Sequence, residues 1–132
     1  MKNVVLLGST GSIGRRALEI LSAAGNSQFK VTGLAAGKNI QLLAQQIRTI
    51  RPGIVSVADP ADADRLNRQF PDIHCLVRLS GLEQLIRITD VDLVISAISG
   101  TVSLGANLAA LKKGARLCLA NKEPLVAGGA LV

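Results

Sequence analysis

Short aliphatic runs alternate along this chain with helix-period segments, the core inventory is almost free of aromatics, and a glycine turn separates the first run from the first helix. Together they predict an α/β fold, a Rossmann-type doubly wound, mainly parallel sheet with helices on both faces. The 132 residues suffice for one domain with a real core, and no internal repeat or low-complexity linker divides them, so residues 1–132 read as a single unit. With hydrophobic residues at 48% and charged residues at 18%, the composition is globular. Phe29 and Phe70 are the only aromatics, which leaves Val, Ile, Leu and Ala to fill a sheet buried on both sides.

The elements follow in order. Val4 to Leu7 is a strand ended by Gly8, and Ile13, Ala17, Ile20, Leu21 and Ala24 then recur at helical spacing up to Gly25. Val31 to Ala35 is the second strand. Asn39 caps a helix with Ile40, Leu43, Ala44 and Ile47 on its apolar face, ending before Pro52. After the strand Ile54 to Val57, Asp59 precedes Pro60 as an N-cap before a first-turn proline, and that helix runs towards Phe70. Ile73 to Val77 is a weaker strand, and Ser80 is positioned to cap a short helix carrying Leu82, Leu85 and Ile86. Leu93 to Ile98 is the next strand. A helix with Leu104, Leu108 and Leu111 on its apolar stripe follows, with Lys112 and Lys113 in its last turn and Gly114 after it. Leu117 to Ala120 is the last strand, and Pro124 marks a further helix start.

Composition also excludes some classes of function. Fifteen Lys and Arg against nine Asp and Glu give a net charge of +6, but the cations are spread along the chain and read as a solvated face. Without aromatic stacking platforms, single-stranded nucleic acid is not the expected partner. Cys75 and Cys118 have no CxxC spacing and no histidine cluster, so they are expected to be free, buried thiols, with no metal site in the chain. His74, the only histidine, reads as structural or exposed, and Asp90 and Asp92 as a turn before a buried strand. The apolar start is too short for a signal sequence or membrane span, so a cytoplasmic protein with no membrane partner is expected. The two apolar residues at the end, Leu131 and Val132, carry no terminal signal, and a longer parent chain is the expectation.

The segment Gly8-Ser9-Thr10-Gly11-Ser12-Ile13-Gly14 lies between a strand and a helix, the context of a dinucleotide fingerprint. Gly8 permits the sharp exit from the strand, Gly11 lets a pyrophosphate approach the backbone, and Gly14 allows close packing of the helix on the sheet. The helix N-terminus adds free N–H groups and partial positive charge. The spacing is GxxGxxG, with Thr10 where the common motif has its second glycine. A structural turn without a ligand is the alternative. No acidic residue follows the second strand to receive a ribose hydroxyl. Ala36-Gly37-Lys38-Asn39 stands there, offering a cation and an amide to a 2′-phosphate, so NADP is expected over NAD. A solvated loop lysine is the competing reading of Lys38. Near the end, Asn121, Lys122 and Glu123 follow a strand at the sheet's ligand-binding edge, or else open a capped helix.

Taken together, GSTGSIG after the first strand, AAGKN after the second and LANKEPLV near the end resemble the 1-deoxy-D-xylulose 5-phosphate reductoisomerase family along the whole chain. The resemblance implies an NADPH-binding domain in which Thr10, Gly11, Ser12 and Ile13 hold the pyrophosphate while Gly37, Lys38 and Asn39 surround the 2′-phosphate. It further implies that Ala97 and Ile98 lie near the nicotinamide half, that Asn121 and Glu123 contact that half, and that Lys122 reaches a small sugar-phosphate substrate. Two departures stand out. Ser99 replaces the family's usual Val within Ala97-Ile98-Ser99-Gly100, and Pro124 replaces a common Ser. In the family a metal-assisted rearrangement and an NADPH reduction give 2-C-methyl-D-erythritol 4-phosphate, in isoprenoid biosynthesis. The resemblance places the carboxylates that hold its divalent Mg or Mn beyond this sequence, so the chain alone is expected to be inactive and its parent a homodimer. The alternatives are a fragment of another NADP-dependent two-domain dehydrogenase and a non-catalytic nucleotide-binding module.

Overall fold

The computed structural model describes residues 2–24, 28–98 and 100–119. Their order is β1 (Lys2–Leu7), α1 (Ser12–Ala24), β2 (Phe29–Ala36), α2 (Ile40–Ile50), β3 (Ile54–Val57), α3 (Pro60–Gln69), β4 (His74–Val77), α4 (Arg78–Ile88), β5 (Leu93–Ser96), α5 (Gly100–Lys113) and β6 (Arg116–Leu119). The six strands form one sheet in the order β4-β3-β2-β1-β5-β6, and every pairing is parallel. Helices cover both faces, as expected. Val4, Leu6, Leu34 and Val55 pack against Leu21 of α1, Leu43 and Ile47 of α2 and Leu66 of α3. Val5, Leu7, Ala35 and Val94 pack against Leu85 and Ile86 of α4 and Ala106 and Ala110 of α5.

One irregularity decides which side chains face which layer. The β1–β2 register runs Val4↔Val31 and then Val5↔Gly33, so Thr32 is an extra residue in β2. Residues an odd number apart in a regular strand point to opposite faces, yet Val31 and Leu34 share one face because the bulge absorbs a residue. The aliphatic run by itself did not reveal this. Thr32 Oγ1 donates to the carbonyl of Val4 over 3.3 Å. Beyond the bulge, Gly33 leaves room for α4: a Cβ there would come within 3.0 Å of Leu85 Cδ1.

The helix ends explain most of the boundaries. Asn39 Oδ1 accepts the Leu42 N–H at 3.2 Å, and Asp59 Oδ1 accepts the Ala61 N–H at 2.9 Å ahead of Pro60, so both expected caps are present. The Ser80 cap is not. Helix α4 starts at Arg78 directly after β4, with Val77 as a cap that has no side-chain hydrogen bond, because strand passes into helix with no loop between them. Ser80 lies inside the first turn and is exposed. The leucine stripe of α5 is also corrected. Among the described side chains of α5, Ser103, Ala106, Asn107 and Ala110 are buried, whereas Leu104 and Leu108 are half-buried and Leu111 is 40% exposed. Small side chains are what let α5 lie close to the sheet and α4.

At its far end α5 caps its neighbour. Lys113 Nζ donates to the carbonyls of Ile86 at 2.8 Å and Arg87 at 3.0 Å, and also to that of Thr89, supplying both donors and positive charge to the C-terminus of α4. Lys113→Met keeps the aliphatic stem and removes the donors. It is expected to lower stability by about 1–3 kcal/mol, read as a lower urea midpoint with an unchanged slope. Asp90 and Asp92 tie the entry of β5 to β1, since Asp92 Oδ2 accepts the Asn3 N–H at 2.8 Å.

His74 is exposed. Both cysteines are free, but neither is fully buried: Cys75 is half-buried and Cys118 is exposed on β6, the last described strand of the sheet. Burial, and then the Asp64 carboxylate, push the Cys75 thiol up to about 11, so it stays protonated at neutral pH.

Candidate functional site

The strand order creates a crevice. From β1 the chain winds outwards through β2, β3 and β4, then crosses back to β5 on the other side of β1, so the connections diverge above the C-terminal ends of β1 and β5. Ligands of open α/β sheets bind at such a switch point. The glycine turn leaves β1 there and is fastened on both sides. The N–H groups of Gly8 and Ser9 both donate to the carbonyl of Ala35, at 2.8 and 3.0 Å, while the Ala97 N–H donates to the carbonyl of Leu7 at 2.9 Å.

The three glycines have different surroundings. Gly8 has φ +86°, and a Cβ on it would fall 2.7 Å from Ala97 O and 2.6 Å from Ile98 Cγ2. Gly14 is buried, and a Cβ there would fall 1.9 Å from Gly8 O. Its close contact is therefore with the backbone of the turn and not with the sheet that the sequence pointed to. Gly11 is exposed and open, since its added Cβ would meet only Gly8 O, at 3.7 Å. Around that opening the N–H groups of Thr10, Ser12 and Ile13 have no backbone partner among the described residues, and α1 adds the positive end of its dipole. Thr10 is half-buried, while Ser12 and Ile13 are exposed. Thr10, Ser12 and Ile13 thus bring three uncommitted N–H donors around the open Gly11, whose own N–H donates to Gly8 O at 3.3 Å.

The loop after β2 opens at the same edge. Gly37, Lys38 and Asn39 are all exposed, and Asn39 Oδ1 is committed to capping α2, which leaves its Nδ2 to donate outwards. The ammonium of Lys38 and the N-terminus of α2 make this a second cationic corner beside the first. At the same sheet edge, on the side of α4 and α5, lies a cleft of about 310 Å³ lined by Ala35, Ala36, Gly37, Ser56, Val57, Ala58, Leu82, Ile98 and Val102. Apart from the Ser56 hydroxyl its side chains are apolar. Sequence reasoning missed Ala58, Leu82 and Val102. Their signal was positional, since Ala58 follows a strand at the ligand edge and the two others lie on helices that the crossover brings over that edge.

Ala97 and Ile98 lie just past β5 and flank the turn, with Ile98 both lining the cleft and reaching Gly8. Asn121, Lys122 and Glu123 fall outside the described residues. Among the described residues no three His, Cys, Asp or Glu side chains group to hold a metal. Nor is any described helix long and apolar enough to cross a membrane.

Residues 4–129 match the family model of 1-deoxy-D-xylulose 5-phosphate reductoisomerase. The chain is 51% identical over 133 residues to a 1-deoxy-D-xylulose 5-phosphate reductoisomerase of Rhodococcus jostii, covering 98% of this chain and 31% of that protein. With the enzyme of the same name from Acaryochloris marina the identity is 43%, covering 100% of this chain and 34% of the relative. Among solved structures, that of the reductoisomerase from Zymomonas mobilis in complex with NADPH superposes with a TM-score of 0.88 at 31% identity, over 98% of this chain and 35% of the other. A reductoisomerase in complex with NADPH, fosmidomycin and magnesium superposes with a TM-score of 0.86 at 28% identity, over 96% of this chain and 31% of the other. The chain thus spans about a third of the length of the relatives that it matches.

Proposed function

Because the chain belongs to the 1-deoxy-D-xylulose 5-phosphate reductoisomerase family, we propose that it binds NADPH across the β1–β5 crevice as the cofactor domain of such an enzyme. The carrying observation is the pair of anion corners at one sheet edge: free N–H groups at Thr10, Ser12 and Ile13 around the open Gly11, and Lys38 with Asn39 at the start of α2. In this reading the first corner holds the pyrophosphate and the second the 2′-phosphate. The apolar cleft that begins at Gly37 takes the adenine. Ala97 and Ile98 then border the path towards the nicotinamide, where Asn121 and Glu123 contact the ring half and Lys122 reaches a sugar-phosphate substrate. The cofactor supplies a hydride, and the residues named here bind and orient its donor.

In this reading the divalent ion of the whole enzyme is held by carboxylates outside the described residues, among which no cluster of metal ligands is found. The magnesium complex of a related reductoisomerase supports a divalent ion in a whole enzyme. The same reading takes that enzyme to be a cytoplasmic homodimer acting in isoprenoid biosynthesis, with neither nucleic acid nor membrane as a partner.

Titration tests the reading. The chain has no Trp or Tyr, so the emission of NADPH is read against almost no protein fluorescence. NADPH is expected to bind ahead of NADH, with ADP a weaker competitor. Preference for ADP, or no binding by any of the three, would point to the non-catalytic module instead.

A further inference from the structure

Gln46 lies in the middle of α2, 7% exposed, on the face that the helix turns towards the sheet. A buried side-chain amide is costly unless it is paired, and the bond that it makes leaves its own helix: Nε2 donates to the carbonyl of Ser9 over 2.8 Å. The acceptor sets the orientation of the amide, because only its nitrogen can face a carbonyl oxygen. Ser9 is fully buried, and its own N–H is committed to Ala35 O at 3.0 Å. The residue is therefore held from two sides, by β2 below and α2 beside it.

Peptide planarity carries this contact into the turn. In a trans peptide the C=O of Ser9 and the N–H of Thr10 point in opposite directions, and no described peptide is cis. With the carbonyl held towards α2, the Thr10 N–H is directed away from α2. That N–H has no backbone partner among the described residues. We infer that Gln46 is a positioning residue of the phosphate site, locking the Ser9–Thr10 peptide so that the Thr10 N–H is presented to a phosphate oxygen.

The inference rests on the dinucleotide reading and adds a coupling to it. Asn39 precedes Gln46 by seven residues on the same helix, about 10 Å along its axis. One rigid element thus carries the 2′-phosphate corner at its start and steadies the pyrophosphate corner from its middle. Gln46 Oε1 has no hydrogen-bond partner among the described residues, so an apolar isostere removes one bond from α2 and leaves the buried Ser9 carbonyl without its donor.

The test compares Gln46→Met and Gln46→Glu with the wild type, using NADPH and adenosine 2′-monophosphate, which carries the base and 2′-phosphate but no pyrophosphate. Gln46→Met is expected to weaken NADPH about tenfold, the effect of losing one charge-assisted hydrogen bond, and to lower the urea midpoint because the buried Ser9 carbonyl loses its donor, while adenosine 2′-monophosphate binds as to the wild type. Gln46→Glu, whose carboxylate repels the Ser9 carbonyl, is expected to weaken NADPH at least as much. Equal weakening of both ligands, or unchanged NADPH binding in Gln46→Met, overturns the inference. Should the wild type not bind NADPH, the proposed function fails, and the clamp is then decided by the Thr10 amide proton. A changed resonance and faster exchange in Gln46→Met support the clamp, and an unchanged amide overturns it.

Discussion

Gly14→Ala is expected to cost about 3 kcal/mol or more and to abolish NADPH binding. The methyl carbon would lie 1.9 Å from Gly8 O and 2.9 Å from Ser9 Cα, and every close neighbour is backbone. No side-chain rotation can relieve such a contact. Helix α1 must move away from the turn, and the turn cannot follow, because Gly8 and Ser9 are both bonded to Ala35 O. For a chain of this size that loss lowers the midpoint of thermal unfolding by roughly 10 °C, measurable by far-UV circular dichroism. Gly11→Ala is the matched control. Its methyl meets only Gly8 O at 3.7 Å and Gly11 is not at positive φ, so the melting temperature is expected to be unchanged. The methyl does stand in the opening of the donor cradle, and NADPH affinity is expected to fall at least about tenfold, on the order of 1.4 kcal/mol. Gly11→Ala that binds like the wild type would remove the phosphate from this turn.

Lys38→Glu is expected to weaken NADPH by about 30- to 100-fold and to leave NADH nearly unchanged. The variant exchanges one positive for one negative charge beside a group carrying between one and two negative charges. Across about 4 Å of largely aqueous medium this amounts to roughly 2–3 kcal/mol after screening. Lys38 is exposed, so the discrimination should shrink as salt is raised. Titration of both cofactors at two ionic strengths checks the magnitude and its origin together. An unchanged NADPH affinity would return Lys38 to the status of a solvated loop residue.

Both predictions use residues that local sequence makes visible, because a glycine turn and a helix cap are short-range devices. The Asn39 and Asp59 caps were legible for the same reason: a side chain that bonds an N–H two or three residues away needs no knowledge of the rest of the fold. The errors fall where a distant element intervenes. Leu104, Leu108 and Leu111 spell an apolar stripe, yet α5 turns Ala106 and Ala110 inwards, because close approach to α4 and the sheet needs small side chains. Ser80 looked like a cap, but β4 runs directly into α4 and starts the helix before it. Cys118 reads as a core residue in an aliphatic run, yet it is exposed on the last described strand.

What the sequence by itself determined is the α/β class and the order of its elements, and it supplied the residues proposed here for the two phosphate corners, since each follows from periodicity or from hydrogen bonding within a few residues. Only the tertiary structure decided what brings those parts into register. The parallel order with β1 between β2 and β5 opens the crevice, the bulge at Thr32 sets which side chains face each helix layer, and Gln46 reaches from α2 to Ser9, 37 positions earlier. Local patterns cannot encode these contacts, because each depends on where an element remote in sequence comes to rest when the sheet buries both of its faces.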